Sequence, residues 1–146
     1  MLVSDIMSHP VVVTNVTATS RDAAKQLRDA HIGAMPVVPV DEADRPSGMV
    51  TDRDIVVRAV AENRLPSNAA VSSIMSEGVY SCFEDDTIAD AAQIMAEHQV
   101  RRLPVLNRAE RLVGIIALAD LARSGVKEAE ERAIEGISQP SRQPRS

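Results

Sequence analysis

Aromatic side chains are nearly absent from this chain: among 146 residues there is no tryptophan, one tyrosine (Tyr80) and one phenylalanine (Phe83). The platforms on which single-strand binders stack bases are therefore missing. A formal net charge of -5 removes the broad basic field that such surfaces use, so no nucleic-acid partner is expected. Cysteine is as scarce. Cys82 stands alone, so no intrachain disulfide can form, and its apolar, strand-like surroundings read as a small buried hydrophobe rather than a catalytic thiol. No apolar run reaches the roughly 18 residues of a membrane span and no charged-then-apolar leader opens the chain. A cytoplasmic protein with no membrane partner is expected. The P-loop and dinucleotide-binding glycine signatures, the paired-histidine zinc motif and paired cysteines are all missing, and His9, His31 and His98 lack a metal-ligand spacing. No enzyme, metal site or resident cofactor is expected.

What the chain does have is aliphatic material, with 45% hydrophobic and 25% charged residues, an ordinary balance for a globular protein. Its length suits one compact domain or two small ones sharing an interface. The chain also repeats itself. At a constant offset of 68, Ile6, Met7 and Ser8 meet Ile74, Met75 and Ser76, and Thr19, Asp22, Ala23 and Ala24 meet Thr87, Asp90, Ala91 and Ala92. Pro36-Val37 meets Pro104-Val105. The register slips by two inside a polar loop, after which Gly48 meets Gly114 and Asp54 meets Asp120. An indel there is where a duplicated unit tolerates one.

Each copy carries the same pattern. A short helical turn ("SDIM", "SSIM") leads to an extended stretch ("VVVT", "VYSCF"). Thr19 and Thr87 then cap helices, each with an aspartate three residues on, and Ala23, Ala24 and Leu27, or Ala91, Ala92 and Met95, form an apolar stripe at helical spacing. "AMPVVPV" with "SGMVT", and "RLPVL" with "LVGIIA", read as strands. "DRDIVVRAVAEN" follows as a second helix with Ile55, Val56, Ala59 and Val60 on one side. The expected architecture is mixed α/β (α+β): two β-α-β-β-α repeats packed around a pseudo-two-fold axis. Repeat 1 spans 1–63, a linker 64–70, repeat 2 71–125, and 126–146 is a charged, disordered tail.

In this tandem arrangement, a turn ending in Ile-Met, a Thr-capped alanine helix, a Pro-Val strand and then Gly-apolar-apolar-Thr-x-x-Asp resemble a pair of cystathionine β-synthase (CBS) domains, the Bateman module. The resemblance covers residues 4 to about 124. "TDRDIV" and "HQVRRLPV" are similar to the stand-alone bacterial CBS pairs of the hypoxic-response kind. It implies a non-catalytic sensor that binds an adenosine-containing ligand, AMP, ADP or ATP before S-adenosylmethionine or NAD, and that forms a homodimer acting on an unknown protein target. Carried over by position, one cleft would combine Met49, Thr51 and Asp54 with Ser76, Ser81 and Val100. The other would combine Ile115 and Asp120 with Ser8, Val13 and Ile32, with Arg101, and Arg102 beside it, facing phosphate. The helices bearing Ala23, Leu27, Ala92 and Met95 are the expected dimer face. A ligand-free stress or scaffold dimer is the competing reading.

Two readings of Thr51 and Asp54 stand side by side. The spacing is that of a capping box at a helix start. A carboxylate there also suits a ribose diol, a threonine hydroxyl reaches ribose or phosphate, and Gly48 allows close backbone approach to a ligand. In the second copy Ala117 replaces the threonine while Asp120 remains, which argues that capping alone does not explain the aspartates.

Overall fold

The computed structural model describes residues 1–124; the expected charged segment and tail beyond them lie outside the described residues. The chain is a mixed α+β protein in two compact units, one built from Val12–Val79 and the other from Met1–Val11 together with residues 80–124. These units are offset from the repeats seen in the sequence, because the segment that opens each repeat joins the sheet belonging to the other.

In the Val12–Val79 unit, β1 (Thr14–Asn15), α2 (Ser20–Ala30), β2 (Ala34–Val38), β3 (Gly48–Thr51) and β4 (Ser76–Glu77) follow in chain order. β1 runs parallel to β2, and β2–β3 and β3–β4 are antiparallel, giving a four-stranded sheet. In the other unit, α1 (Val3–Ile6) precedes β5 (Cys82–Phe83), α4 (Ile88–His98), β6 (Arg102–Leu106), β7 (Leu112–Ala117) and α5 (Leu118–Arg123). β5 is parallel to β6 and β6 antiparallel to β7. A bridge from Ser8 to Ile115 takes the place that β4 holds in the first sheet, where Ser76 faces Met49.

The caps form as the sequence predicts. Thr19 Oγ1 accepts from Asp22 N–H (3.1 Å) and Thr87 Oγ1 from Asp90 N–H (3.2 Å), with the aspartates returning the bond to the threonine amides. Both helices end on a left-handed residue that is not glycine, His31 (φ 56°) and Gln99 (φ 53°). The extended stretches are shorter than expected, two residues each in β1 and β5. Segment 64–70 is docked rather than free: Ser20 N–H and Oγ both donate to Ala69 O, and Arg21 N–H donates to Pro66 O. This occupies amides of the first turn of α2 that the helix itself leaves unbonded.

Each unit has its own core. Ala23, Leu27, Met35, Val37, Val50 and Ile74 fill one, and Ala92, Met95, Leu103, Val105, Ile116 and Leu121 the other. Burying each large side chain stabilises by about 1.5–3 kcal/mol. Two expectations fail here. Ala23, Leu27, Ala92 and Met95, residues of the expected dimer face, are buried within their own units, and the outward side of α2 is charged (Arg21, Asp22, Lys25, Arg28, Asp29). The second helix is also not a plain α-helix. A short α3 (Asp52–Asp54) continues as a π-helix over Ile55–Val60. Its wider turn keeps Ile55 and Ala59 on the core but leaves Val56 and Val60, expected on the same side, more than half exposed. Among the described residues no helix is long and apolar enough to cross a membrane.

Candidate functional site

The junction of β3 with α3 puts Thr51 and Asp54 in a complete capping box. Thr51 Oγ1 accepts from Asp54 N–H at 3.0 Å, and Asp54 Oδ2 accepts from Thr51 N–H at 2.9 Å. The capping reading is therefore realised, and it uses only one carboxylate oxygen. Oδ1 of Asp54 is fully buried and has no hydrogen-bond donor among the described residues. Arg58, one turn on, brings Nε to 4.0 Å, beyond hydrogen-bond range. Its Nη1 is held elsewhere, donating to Ile74 O and Met75 O at 3.2 Å each. A buried carboxylate oxygen left without a donor costs about 1–3 kcal/mol, more when charged, so this position is stabilised by anything that brings a hydroxyl or N–H.

The second copy satisfies its aspartate differently. Ala117 has no side-chain acceptor, but its N–H still donates to Asp120 Oδ2 at 2.7 Å. Asp120 thus keeps half of a capping box, and its retention beside Ala117 no longer argues against a capping role. Its Oδ1 accepts a hydrogen bond from Arg123 Nη2. Asp120, Arg123, Ser124 and Ile6 line an open pocket of about 220 Å³, below the roughly 300 Å³ at which small-molecule sites usually begin.

The glycine in each of these strands makes room for the segment packed against it. A Cβ on Gly48 would lie 2.5 Å from Ser76 O, and one on Gly114 would lie 2.4 Å from Met7 Sδ and 3.2 Å from Ser8 O. At Gly48 only glycine lets the Ser76 carbonyl approach this closely, whereas at Gly114 the atom first met is the flexible Met7 thioether.

Of the other residues carried over from the family, Met49, Thr51, Asp54 and Ser76 lie in one unit, with Met49 paired to Ser76 across β3 and β4. Val13, half-buried, and Ile32, exposed, are in that same unit, whereas Ser81, Val100, Ser8, Ile115, Asp120, Arg101 and Arg102 are in the other. Arg101 is exposed, and its carbonyl accepts from Leu118 N–H (2.8 Å) at the start of α5; Arg102 faces Ala117 across β6 and β7. The matching carbonyl in the first copy is that of Gly33, which accepts from Asp52 N–H. Next to Ser81, the Tyr80 ring stacks on His98 with centroids 3.8 Å apart. Burial, with a contribution from Asp86, pushes the Cys82 thiol up to about 12, so it stays protonated and unreactive at neutral pH. Among the described residues no three His, Cys, Asp or Glu side chains converge on a metal position. Sequence reasoning missed Arg58 and Arg123. Their signal was the spacing, i+4 from Asp54 and i+3 from Asp120, which places a cation on the carboxylate's side of a helix.

With this geometry in hand, the relatives of the chain become informative. The CBS domain family model matches residues 3–60 and 71–127. The CBS domain-containing protein YhcV of Bacillus subtilis is 40% identical over 120 residues, covering 82% of each chain. Hypoxic response protein 1 of Mycobacterium tuberculosis is 36% identical over 136 residues, covering 93% of each. A CBS domain protein of Pyrobaculum aerophilum, solved in complex with AMP, superposes with a TM-score of 0.79 at 26% identity, over 92% of this chain and 98% of that one. With two matched copies spanning most of its length, the chain belongs to the CBS domain family.

Proposed function

We propose that this protein is a non-catalytic regulatory module that binds an adenosine-containing ligand, AMP, ADP or ATP before S-adenosylmethionine or NAD. The observation that carries this reading is the Asp54 carboxylate, which is buried, fixed in place through Oδ2, and left with an Oδ1 that no donor among the described residues satisfies. A vicinal ribose diol supplies the hydroxyl donor that such an oxygen lacks, through a charge-assisted bond. Thr51 caps the same junction, and Met49 and Ser76, paired across β3 and β4, are the further residues proposed to line this site. The AMP complex of the Pyrobaculum relative supports the ligand class. Because Oδ1 is sealed from solvent, binding entails a local movement, and the half-exposed Arg58 is the side chain to shift. Asp120 is proposed as the corresponding second position, with Ser8, Ile115 and Arg101 of the same unit as its further residues.

The module acts as a homodimer on a protein target. Val56, Val57 and Val60, exposed at 58%, 43% and 56%, give the π-helix an apolar outer side that a second chain would cover. Sedimentation of the parent and of a Val56→Glu/Val60→Glu variant checks this, with a dimer expected for the first and a monomer for the second.

Thermal melting with and without millimolar adenosine compounds tests the binding reading. A ligand at 100 times its Kd stabilises by about 2.7 kcal/mol, an easily read shift. No shift with AMP, ADP, ATP, S-adenosylmethionine or NAD would favour a ligand-free scaffold.

A further inference from the structure

We infer that Arg123 is a latch on the second position, making the two aspartates unequal as ligand acceptors. This rests on the adenosine reading and adds to it the residue that sets which site fills first. Both carboxylates give Oδ2 to a backbone amide at the same strand end, Thr51 N–H in one copy and Ala117 N–H in the other. Only their Oδ1 atoms differ. Asp54 Oδ1 has no donor, because Arg58 is anchored on the carbonyls of Ile74 and Met75. Asp120 Oδ1 is taken by Arg123, which has no such anchor among the described residues and folds back along α5 onto its own aspartate, lining the pocket beside Ile6.

A diol arriving at Asp120 must displace a guanidinium hydrogen-bonded to Oδ1 itself, whereas at Asp54 the guanidinium that has to shift stands 4.0 Å away and makes no hydrogen bond to Oδ1. The Asp54 site therefore fills first. Arg123 is 74% exposed while Asp120 is 7% exposed, so the pair is weak enough to open, and the handicap is about fivefold in affinity, the weight of a well-formed surface ion pair. High salt, which screens such a pair, weakens the latch.

The test isolates the second site in an Asp54→Asn background and uses adenosine itself, a neutral nucleoside whose binding gains nothing from the arginine's charge. Calorimetric titration is expected to show adenosine binding about fivefold more tightly to Asp54→Asn/Arg123→Ala than to Asp54→Asn. Arg123→Gln, which keeps most of the side-chain volume, is expected to behave likewise. Raising salt from 0.05 to 0.5 M is expected to tighten binding to Asp54→Asn but not to the double variant. Equal or weaker adenosine binding when Arg123 is removed, or no binding to either variant while the parent binds, overturns the latch alone. If the parent protein binds no adenosine compound, the underlying adenosine reading fails and the latch falls with it.

Discussion

The two copies of the repeat place an aspartate at the same strand-to-helix junction and then treat it in opposite ways. In the first, Thr51 completes the capping box and Arg58 is tied to the carbonyls of Ile74 and Met75, so Asp54 is rigid, buried and one donor short. In the second, Ala117 leaves half a box and Arg123 closes on Asp120. What duplication has kept is the bond from a carboxylate oxygen to a backbone amide; what it has let vary is the partner of the other oxygen. Capping and the proposed ligand binding thus fall to different atoms of one side chain.

The largest expected difference between copies lies in their glycines. Gly48→Ala drives a methyl into the carbonyl of Ser76, a backbone atom that cannot swing away, and is expected to destabilise by about 3 kcal/mol, the upper part of the usual overpacking range. Gly114→Ala first meets the flexible thioether of Met7, which can move, and is expected to cost about 1 kcal/mol. Urea midpoints of the two variants measure this, and equal losses would mean that the Ser8 carbonyl is as confining as that of Ser76.

Exchanging the caps tests the next difference. Thr51→Ala turns the first junction into the second and should lower stability by about 1 kcal/mol, while Ala117→Thr should raise it by a comparable or smaller amount. Failure of Ala117→Thr to stabilise would show that α5 cannot present its Asp120 amide to a hydroxyl.

The copies should respond alike at their helix ends. His31 and Gln99 both sit in the left-handed region, where a Cβ costs about 1–2 kcal/mol, partly offset by the greater freedom of glycine in the unfolded chain. His31→Gly and Gln99→Gly should each stabilise by about 0.5–1 kcal/mol, read as rises in melting temperature.

The effect that is smallest at neutral pH is confined to one copy. Cys82 takes the place that Thr14 holds in β1, and its thiol is raised by burial to about 12 from an ordinary 9.0. The folded form thus holds the proton more tightly. The resulting stability is full below pH 9 and is lost as pH rises from 9 towards 12. Urea midpoints should fall over that range in the parent and fall less in Cys82→Ala.

How much of this the sequence disclosed follows from what each residue does locally. Thr19, Asp22, Thr87 and Asp90 act within one helical turn, so their spacing alone predicted the caps that form. The alanine stripes marked the buried faces of α2 and α4 for the same reason, but burial within a unit could not be told from burial at a dimer face. The π-helix escaped notice because its apolar residues fit an α-helical period as well, and only the widened turn puts Val56 and Val60 outside. The roles of Gly48 and Gly114 depend on segments tens of residues away. Arg58 and Arg123 were within reach of spacing rules, yet which of them is anchored elsewhere is decided by the carbonyls at 74 and 75.

Calorimetric titration of AMP into the parent, Asp54→Asn and Asp120→Asn, beside their melting temperatures, bears most directly on the claim that Asp54 Oδ1 is a ligand acceptor. Asn still offers an oxygen to Thr51 N–H, so the fold is expected to hold while charge and one acceptor are lost. Affinity should drop by about 1.5–3 kcal/mol, roughly ten- to a hundredfold, at Asp54, and by less at Asp120. Unchanged AMP affinity in Asp54→Asn, with the parent binding normally, would contradict the claim and leave Asp54 as a cap alone.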